Sequence, residues 1–516
     1  MVWKVNELTC RVDNTDNLLN IDSDNFTHPK VEGHLSIFVY PFFFTLGKLE
    51  ELLILALEDP NWMLDYPEQD NEKEMRRIEY FLPYMQRFLF PATHWGEKEK
   101  RLFRDKFYRK KNKRGKRTGW FVRTRQAKRL CKDHVVRWRR DFGDMPLDFV
   151  LSNGNGSQFS ARWKKISLFL YSTGVGLLVM EVEKSGRSVD LRLSELALFN
   201  KTLNCLDKVL FGNLAPALVN GVPLRTLILD TFLKPFVGRS ILEADNYNLG
   251  KTFLHYCCLA CLDGTQYAEP ANDYYNNFAL MQDDSDFKVL DFKGTRCGFT
   301  PKGIHILAVA EQKGWPGVSD FLRHWQTFYL DIYLHAFYQN LSLIKFSREL
   351  SGIDELLNDR RKLEQLQRLF LNFTNKTWFN LVTSAPFGQK LWKKWKDVMV
   401  LEELYKEVKL QLSEFNSYTE QVKKERFSRI LNALSIVGTS LAITYGLFTS
   451  GILRLNESWL EVSPLEVGLI VGMILAVITV LGVLFLRLPR LKPLWSFTKS
   501  CLRNWFKGIK NRARTK

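Results

Sequence analysis

The sequence predicts an α+β or α/β cytoplasmic domain, a long α-helical stalk and two C-terminal transmembrane helices. β-rich runs alternate with helical patterns over about residues 30–310, which indicates a mixed body. An amphipathic stretch without Pro or Gly follows Lys390, and two uncharged runs lie near the C-terminus. The predicted order is a body at 1–310 with a basic insertion at 98–140, charged and aromatic helices at 311–388, a stalk at 389–429, a membrane hairpin at 430–486 and a basic cytoplasmic tail at 487–516.

The strands of the body are predicted from short apolar, β-branched runs. Residues 166–183 contain two such runs around "STGVG", where Gly174 and Gly176 supply hairpin turn geometry. Residues 35–44 have the composition of a buried strand, although Pro41 argues against part of it. A helix is predicted at 193–206, and further strands are predicted within 252–264 and 289–300.

Two segments carry the positive charge of a chain whose formal net charge is +18. Residues 98–140 hold 20 Lys/Arg against Glu99, Asp105 and Asp133, and the tail at 487–516 holds ten Lys/Arg without an acid. Such patches attract phosphate, nucleic acid or anionic lipid, so the last two are expected as candidate partners.

The basic insertion has two interpretations. It binds a polyanion in a salt-sensitive way, with Trp120, Phe121 and Trp138 stacking on bases, or it is a solvated excursion that tunes solubility or touches lipid headgroups. The polyanion-binding candidates are Arg109, Lys110, Lys111, Lys113, Arg114, Lys116 and Arg117.

Motifs for catalysis are absent from the sequence. The Gly-rich "SNGNGSQ" at 152–158 lacks the Lys-Ser/Thr of a phosphate loop and is interpreted as a plain loop. His255, Cys258 and Cys261 lie in an apolar strand pattern without a fourth ligand, which favours packed core over a metal site. The chain is therefore expected not to be an enzyme and to hold no cofactor. Whether it binds a divalent cation stays open from the sequence.

The stalk shows a seam of apolar residues in steps of four and three. This spacing is typical of a coiled coil over about three heptads and favours self-association, the alternative being a helix packed on its own domain. One continuous helix is expected from about Gln389 to Leu453. The seam residues are Leu401, Tyr405, Val408, Leu412, Phe415, Thr419 and Val422.

The uncharged runs at 430–453 and 467–486 are each long enough for a transmembrane helix, which needs about 20 apolar residues. Basic residues precede the first run and follow the second, whereas the short link between them carries Glu457, Glu461 and Glu466. The positive-inside rule then places both termini in the cytoplasm and the acidic link outside. The expected location is the cell inner membrane, with two passes.

A stripe of small and hydroxyl-bearing residues follows one side of the first run. Its members recur in steps of four and three, which aligns them on one helix face. Such a stripe packs helices closely or lines a narrow aqueous path, and both imply an oligomer. The pore-lining candidates are Ser435, Thr439, Ala442, Gly446 and Thr449.

This layout resembles the CorA-type magnesium transporter family. In that family the first span ends in Tyr-Gly-Met-Asn, and here Tyr445-Gly446 is followed by Leu447-Phe448. The resemblance is specific over about 389–495 and implies a homo-oligomer, in that family a pentamer. The family's Asn presents an amide oxygen to a hydrated cation, whereas the ring of Phe448 offers no oxygen ligand. The resemblance therefore implies ion transport with altered selectivity.

Two functions remain open from the sequence. The first is a CorA-like oligomeric channel or transporter, for cations, without the Gly-Met-Asn filter. The second is a membrane-anchored sensor or effector whose body binds a nucleotide, RNA or protein and whose hairpin signals or permeabilises.

Overall fold

The structure, a computed structural model, describes residues 29–45, 47–65, 72–96, 99, 102–103, 116–142, 145–152, 158–185, 191–206, 215–236, 254–263, 288–292, 294–309, 317–352 and 360–449. By its internal contacts the chain divides into two units, Met1–Gln411 and Leu412–Lys516.

The described helices differ widely in length. They are α1 (Leu49–Glu58), α2 (Glu72–Glu79), α3 (Pro83–Leu89), α4 (Lys116–Leu130), α5 (Leu193–Asn204), α6 (Leu224–Leu227), α7 (Val318–His324), α8 (Leu330–Ser351), α9 (Arg360–Thr377), α10 (Pro386–Val398) and α11 (Leu401–Thr449). Two π-helical segments, Ile228–Phe232 and Trp325–Tyr329, follow α6 and α7.

Twelve strands form one sheet in the described part of the chain. They are β1 (Val31–Phe43), β2 (Trp62–Leu64), β3 (Val135–Arg140), β4 (Asp148–Ser152), β5 (Gln158–Tyr171), β6 (Val175–Lys184), β7 (Leu218–Val219), β8 (Val222–Pro223), β9 (His255–Leu262), β10 (Lys288–Phe292), β11 (Thr295–Thr300) and β12 (Gly303–Val309). The main order is β10-β11-β12-β9-β1-β6-β5-β4-β7-β8, with β3 beside β5 and β2 beside β3. Only the described pair β9 and β12 is parallel, so the body is a mixed α+β structure.

The predicted hairpin and the predicted strand at 35–44 are both present, but Gly176 lies in β6 and not in the turn, and Pro41 does not interrupt β1. β5 and β6 pair antiparallel, and Gly174 between them has a φ of 84°, which a residue with a side chain rarely adopts. Pro41 lies inside β1 opposite Leu177 of β6. The pairing of β1 with β9 ends at Val39, so Pro41 lies where β9 offers no partner and its missing N–H is tolerated.

Helices cover both faces of the sheet. On one face the Ser36 hydroxyl donates to Oδ1 of Asn200 in α5 at 2.7 Å. On the other face Tyr171 of β5 stacks on Tyr338 of α8, with ring centroids 4.0 Å apart. α8 is buried along most of its length, as its aromatic amphipathic sequence predicts.

The C-terminal half of the basic insertion belongs to the folded body. α4 buries Ala127 and Leu130, and β3 pairs with β2 and β5 inside the sheet. The suggestion that Trp138 stacks on bases is wrong, because its side chain is only 1% exposed in the core. Arg129 pairs with Glu99 and Asp133, so part of the positive charge is used internally.

The expectation of one continuous stalk helix is also wrong. α10 starts at Pro386, a favoured first helical residue, and ends at Val398, whereas α11 starts at Leu401. Between them Val400 has a φ of 52°, a left-handed conformation that ends a right-handed helix. The turn keeps both Met399 and Leu401 buried, which offsets the strain at Val400.

The first turns of the seam pack on the chain's own body. Tyr405 stacks on Trp378 with ring centroids 4.4 Å apart, and Leu401 and Val408 are buried. In these first turns the seam therefore packs on the chain's own domain, which was the alternative to self-association. Within the residues that the structure describes, no helix combines the length and apolar composition that crossing a membrane requires.

Candidate functional site

The first three residues of the predicted stripe lie on α11 with exposed side chains. They are Ser435, Thr439 and Ala442, and the Thr439 hydroxyl donates to the backbone oxygen of Ser435 at 2.6 Å. Tyr445, Gly446, Leu447, Phe448 and Thr449 fall within the bounds of the same helix. The acidic link, Glu457, Glu461 and Glu466, lies outside the described residues, as does the second uncharged run.

Most of the predicted polyanion site lies outside the described residues as well. This applies to Arg109, Lys110, Lys111, Lys113 and Arg114, whereas Lys116 and Arg117 are the first two residues of α4.

The cluster on β9 is packed core, as expected. Cys258 and Cys261 are buried, and the ring of His255 packs at a tilt against Phe337 of α8 with centroids 4.1 Å apart. Burial lowers the pKa of His255 to about 3, so the ring is neutral at physiological pH. No group of metal-binding side chains occurs in the described part of the chain.

A cavity with charged walls, which the sequence did not indicate, lies between the sheet and α8. We call it the Asp331 cavity, and its volume is about 190 Å³. Its charged lining residues are Asp65, Arg77, Arg137, Lys165, Glu181 and Asp331. Three acids and three bases thus meet in a space that would otherwise be apolar core.

Asp331 anchors the cavity through two arginines. Arg77 donates through Nε and Nη2 to the two carboxylate oxygens at 2.7 and 2.8 Å, and Arg137 Nη2 donates at 3.1 Å. Burial favours the protonated acid, but Arg137 and Arg77 outweigh it and hold the pKa of Asp331 below its usual range. The buried Nε of Arg137 has no hydrogen-bond partner among the described residues.

The remaining charged groups of the cavity are more loosely paired. Lys165 Nζ lies 3.4 Å from Asp65, and Gln326 donates to Glu181 at 2.5 Å. Burial raises the pKa of Glu181, and the hydrogen bond from Gln326 and the charge of Lys165 oppose this effect only in part. Such a lining offers donors and acceptors side by side, and it suits a small polar or zwitterionic ligand.

The π-helical segment Trp325–Tyr329 borders the cavity through Gln326 and Thr327. π-helical turns cost stability and occur frequently at functional sites. The lining comes from β1, β3, β5, β6, α2, α8 and this segment, so no local sequence motif could have identified it.

Comparison with known proteins gives little further information. No family model matches the sequence, and no curated protein matches it. The chain is similar to a solved structure described as "structure of the full-length CmaX protein", with 14% identity, coverage of 42% of this chain and 85% of that chain, and a TM-score of 0.20. A similarity at this TM-score carries no argument about fold or function.

Proposed function

We propose that the protein is a CorA-like oligomeric ion channel or transporter, for cations, inserted in the cell inner membrane with both termini in the cytoplasm. The observation that carries the proposal is α11. This helix runs without a break from the charged stalk through residue 449 of the first uncharged run, the arrangement that the resemblance implies. Ser435, Thr439 and Ala442 are exposed along it and are available to a path or a neighbouring helix.

Exposed apolar side chains on α11 support assembly with lipid and with further copies of the chain. Tyr418 and Phe427 are 52% and 62% exposed, and Leu431 and Leu434 are 49% and 60% exposed. Large apolar groups at this density on one helix need a partner surface. A homo-oligomer, by resemblance a pentamer, supplies one.

Ion flux from the full-length protein in liposomes tests the proposal, with Mg²⁺, Co²⁺, K⁺ and Cl⁻ compared. We expect cation flux without strong preference for Mg²⁺, because Leu447-Phe448 lacks the amide oxygen of Met-Asn. The double variant Leu447→Met with Phe448→Asn should increase the share of Mg²⁺. Absence of flux for all four ions, from protein that inserts and assembles, would contradict the proposal.

The Asp331 cavity favours a second candidate, a membrane-anchored sensor or effector whose body binds a ligand. Within the cavity the Nε of Arg137 has no hydrogen-bond partner among the described residues and Lys165 lies 3.4 Å from Asp65, so a polar ligand would complete bonds that the lining leaves open. The same liposomes discriminate between the two functions. A sensor should give no ion flux in the absence of its ligand and partners. A channel should conduct even when residues of the Asp331 cavity are substituted, provided that the variant folds.

A further inference from the structure

A second recess, separate from the Asp331 cavity, is lined by an arginine whose side chain is buried and incompletely hydrogen-bonded. We call it the Arg140 cleft, and its volume of about 750 Å³ is largely open to solvent. It is formed by the C-terminal end of α1, the end of β3 and the π-helical segment Ile228–Phe232. Its polar lining residues are Glu58, Asp59, Asn61, Arg140, Asp230, Thr231 and Lys234.

The side chain of Arg140 is buried without a counter-ion bond. It is 8% exposed, and its Nε and Nη1 have no hydrogen-bond partner among the described residues. Its guanidinium lies over the rings of Trp62 and Phe232, 5.5 and 5.3 Å from their centroids. These rings stabilise the cation in part, but they supply no acceptor for its N–H groups.

The neighbouring acids compensate Arg140 only in part, because burial lowers its pKa and the attraction of Asp59 does not outweigh this effect. Asp59 Oδ1 accepts from the backbone N–H of Asn61 at 2.9 Å, and Glu58 pairs with Arg123 at 3.3 Å. The indole Nε1 of Trp62 is also buried without a partner among the described residues. Of these unused donors, those of Arg140 belong to a residue that lines the cleft, and a buried cation with unsatisfied N–H groups is costly to a fold.

We propose that the Arg140 cleft binds a small polyol that carries a phosphate or carboxylate group. The oxyanion lies against Arg140, whose fork of N–H donors matches two of its oxygens. Lys234, exposed at the rim, adds a second positive charge. Asp59 and Asp230 accept hydrogen bonds from hydroxyl groups at the other end of the ligand.

This inference goes beyond ion transport and does not depend on it. It concerns β2, β3, α1 and the segment at 228–232, all in the first unit of the chain. A protein without ion flux would therefore still be expected to bind the ligand.

Thermal unfolding of the full-length protein at constant ionic strength tests the proposal. The probes are ribose 5-phosphate, gluconate, inorganic phosphate and uncharged ribose. We expect a saturable rise in Tm with ribose 5-phosphate or gluconate, a smaller rise with phosphate and none with ribose. The two polyol anions distinguish a phosphate site from a carboxylate site.

Substitution of Arg140 provides the decisive variant, with its exposed strand neighbour Arg139 as a matched control. Arg140→Met should abolish the ligand-induced rise and leave the Tm of the free protein equal or higher, because an unpaired buried charge is removed. Arg139→Met should retain the rise. Asp59→Asn keeps the acceptor for Asn61 and should reduce the advantage of ribose 5-phosphate over phosphate.

Three results would overturn the inference. They are an unchanged Tm of the wild-type protein with all anions, an equal rise in Arg140→Met, and an equal rise with ribose. If Arg140→Met does not fold, Arg140→Lys is used instead, because lysine keeps the positive charge but lacks the paired N–H donors of the guanidinium group. Binding by that variant should be at least about tenfold weaker, and unchanged binding would reject the site.

Discussion

Asp331 of α8 and Arg77 of α2 form a two-point ion pair inside the body, with both nitrogen–oxygen distances below 3 Å. The carboxylate is 1% exposed and is shared with Arg137 of β3. Asp331 of α8 therefore links the helix α2 and the strand β3 to the helix that covers the sheet.

Removal of Asp331 should destabilise the protein strongly. Asp331→Ala leaves two buried arginines without their anion, and we expect a loss of about 3–5 kcal/mol in the free energy of unfolding. Urea unfolding of the wild type and the variant measures this loss. Asp148→Ala, which breaks an exposed pair with Arg162, is the control and should change stability little. A similar effect of both variants would contradict the central role of Asp331.

Stability should fall between pH 6.5 and 4 because neutral histidines are buried in the body. Burial lowers the pKa of His34 and His134 to about 4 and that of His255, His305 and His335 to about 3. In this window the unfolded chain binds more protons than the folded one. The free energy of unfolding therefore decreases as pH falls below 6.5 and stops decreasing, for each group, below its folded pKa.

His34 offers a test of this pH dependence at one site. Its Nε2 accepts from the backbone N–H of Lys184 at 3.1 Å, so protonation would break the bond. His34→Gln keeps a possible acceptor but does not titrate. The slope of unfolding free energy against pH should then decrease by up to about 1.4 kcal/mol per pH unit between pH 6.5 and 4. An unchanged slope would show that His34 does not stay neutral in the folded state.

The second half of the seam should hold copies of the chain together. Phe415, Thr419 and Val422 are half-exposed on α11, among mostly exposed neighbours. Phe415→Asp with Val422→Asp should convert the oligomer to smaller species in detergent, because charges are introduced into an apolar contact. Mass measurement by light scattering detects the change, with exposed Gln421→Asp as the control. A monomeric wild-type protein would remove the argument for both the seam and a pore.

Charge placed on the two sides of α11 should have different effects. Thr439→Asp should still insert and should favour cations, because a carboxylate beside an aqueous path is tolerated. Leu441 lies about 200° around the helix, and Leu441→Asp should impair insertion, since a charge facing lipid costs about 2.5–3.5 kcal/mol. Membrane fractionation and ion flux measure both outcomes. Equal damage in the two variants would identify the stripe as a packing surface.

Binding by the basic insertion should depend on its first half. Gln substitutions at five positions should abolish retention on RNA or anionic vesicles, and wild-type retention should weaken steeply with salt. The substituted residues are Arg109, Lys110, Lys111, Lys113 and Arg114. The control removes the same charge from the tail at Lys499, Arg503, Lys507, Lys510 and Arg512. If the Gln substitutions in the basic insertion leave retention unchanged, the insertion does not bind the polyanion and instead serves solubility.

Local sequence patterns predicted several strands and one helix of the body. The β5–β6 hairpin, α5 and β9 follow from turn residues and apolar periodicity, whereas α10 starts at Pro386, three residues before the predicted start of the stalk at Gln389. The break at Val400 could not be predicted, because no Gly or Pro marks it. Both Met399 and Leu401 are buried on either side of Val400 in the sequence, and such burial is defined only by the tertiary structure.

Charge density misled the interpretation of β3. Arg137, Arg139 and Arg140 resemble a solvated face in the sequence, yet two of them are buried. Their environment depends on Asp331, Trp62 and Phe232, which are distant in the chain. Both the Asp331 cavity and the Arg140 cleft are therefore properties of the assembled sheet.

The position of β1 in the sheet has a consequence for synthesis of the chain. β1 is paired on one edge with β6 and on the other with β9, where Val31 faces Leu262. At about 5–20 residues per second a ribosome needs roughly 10–50 s to produce β9 after β1. Throughout that time the edge of a largely apolar strand is uncovered on the nascent chain. Until β9 is synthesised, this edge of β1 is accessible to chaperones and to neighbouring nascent chains.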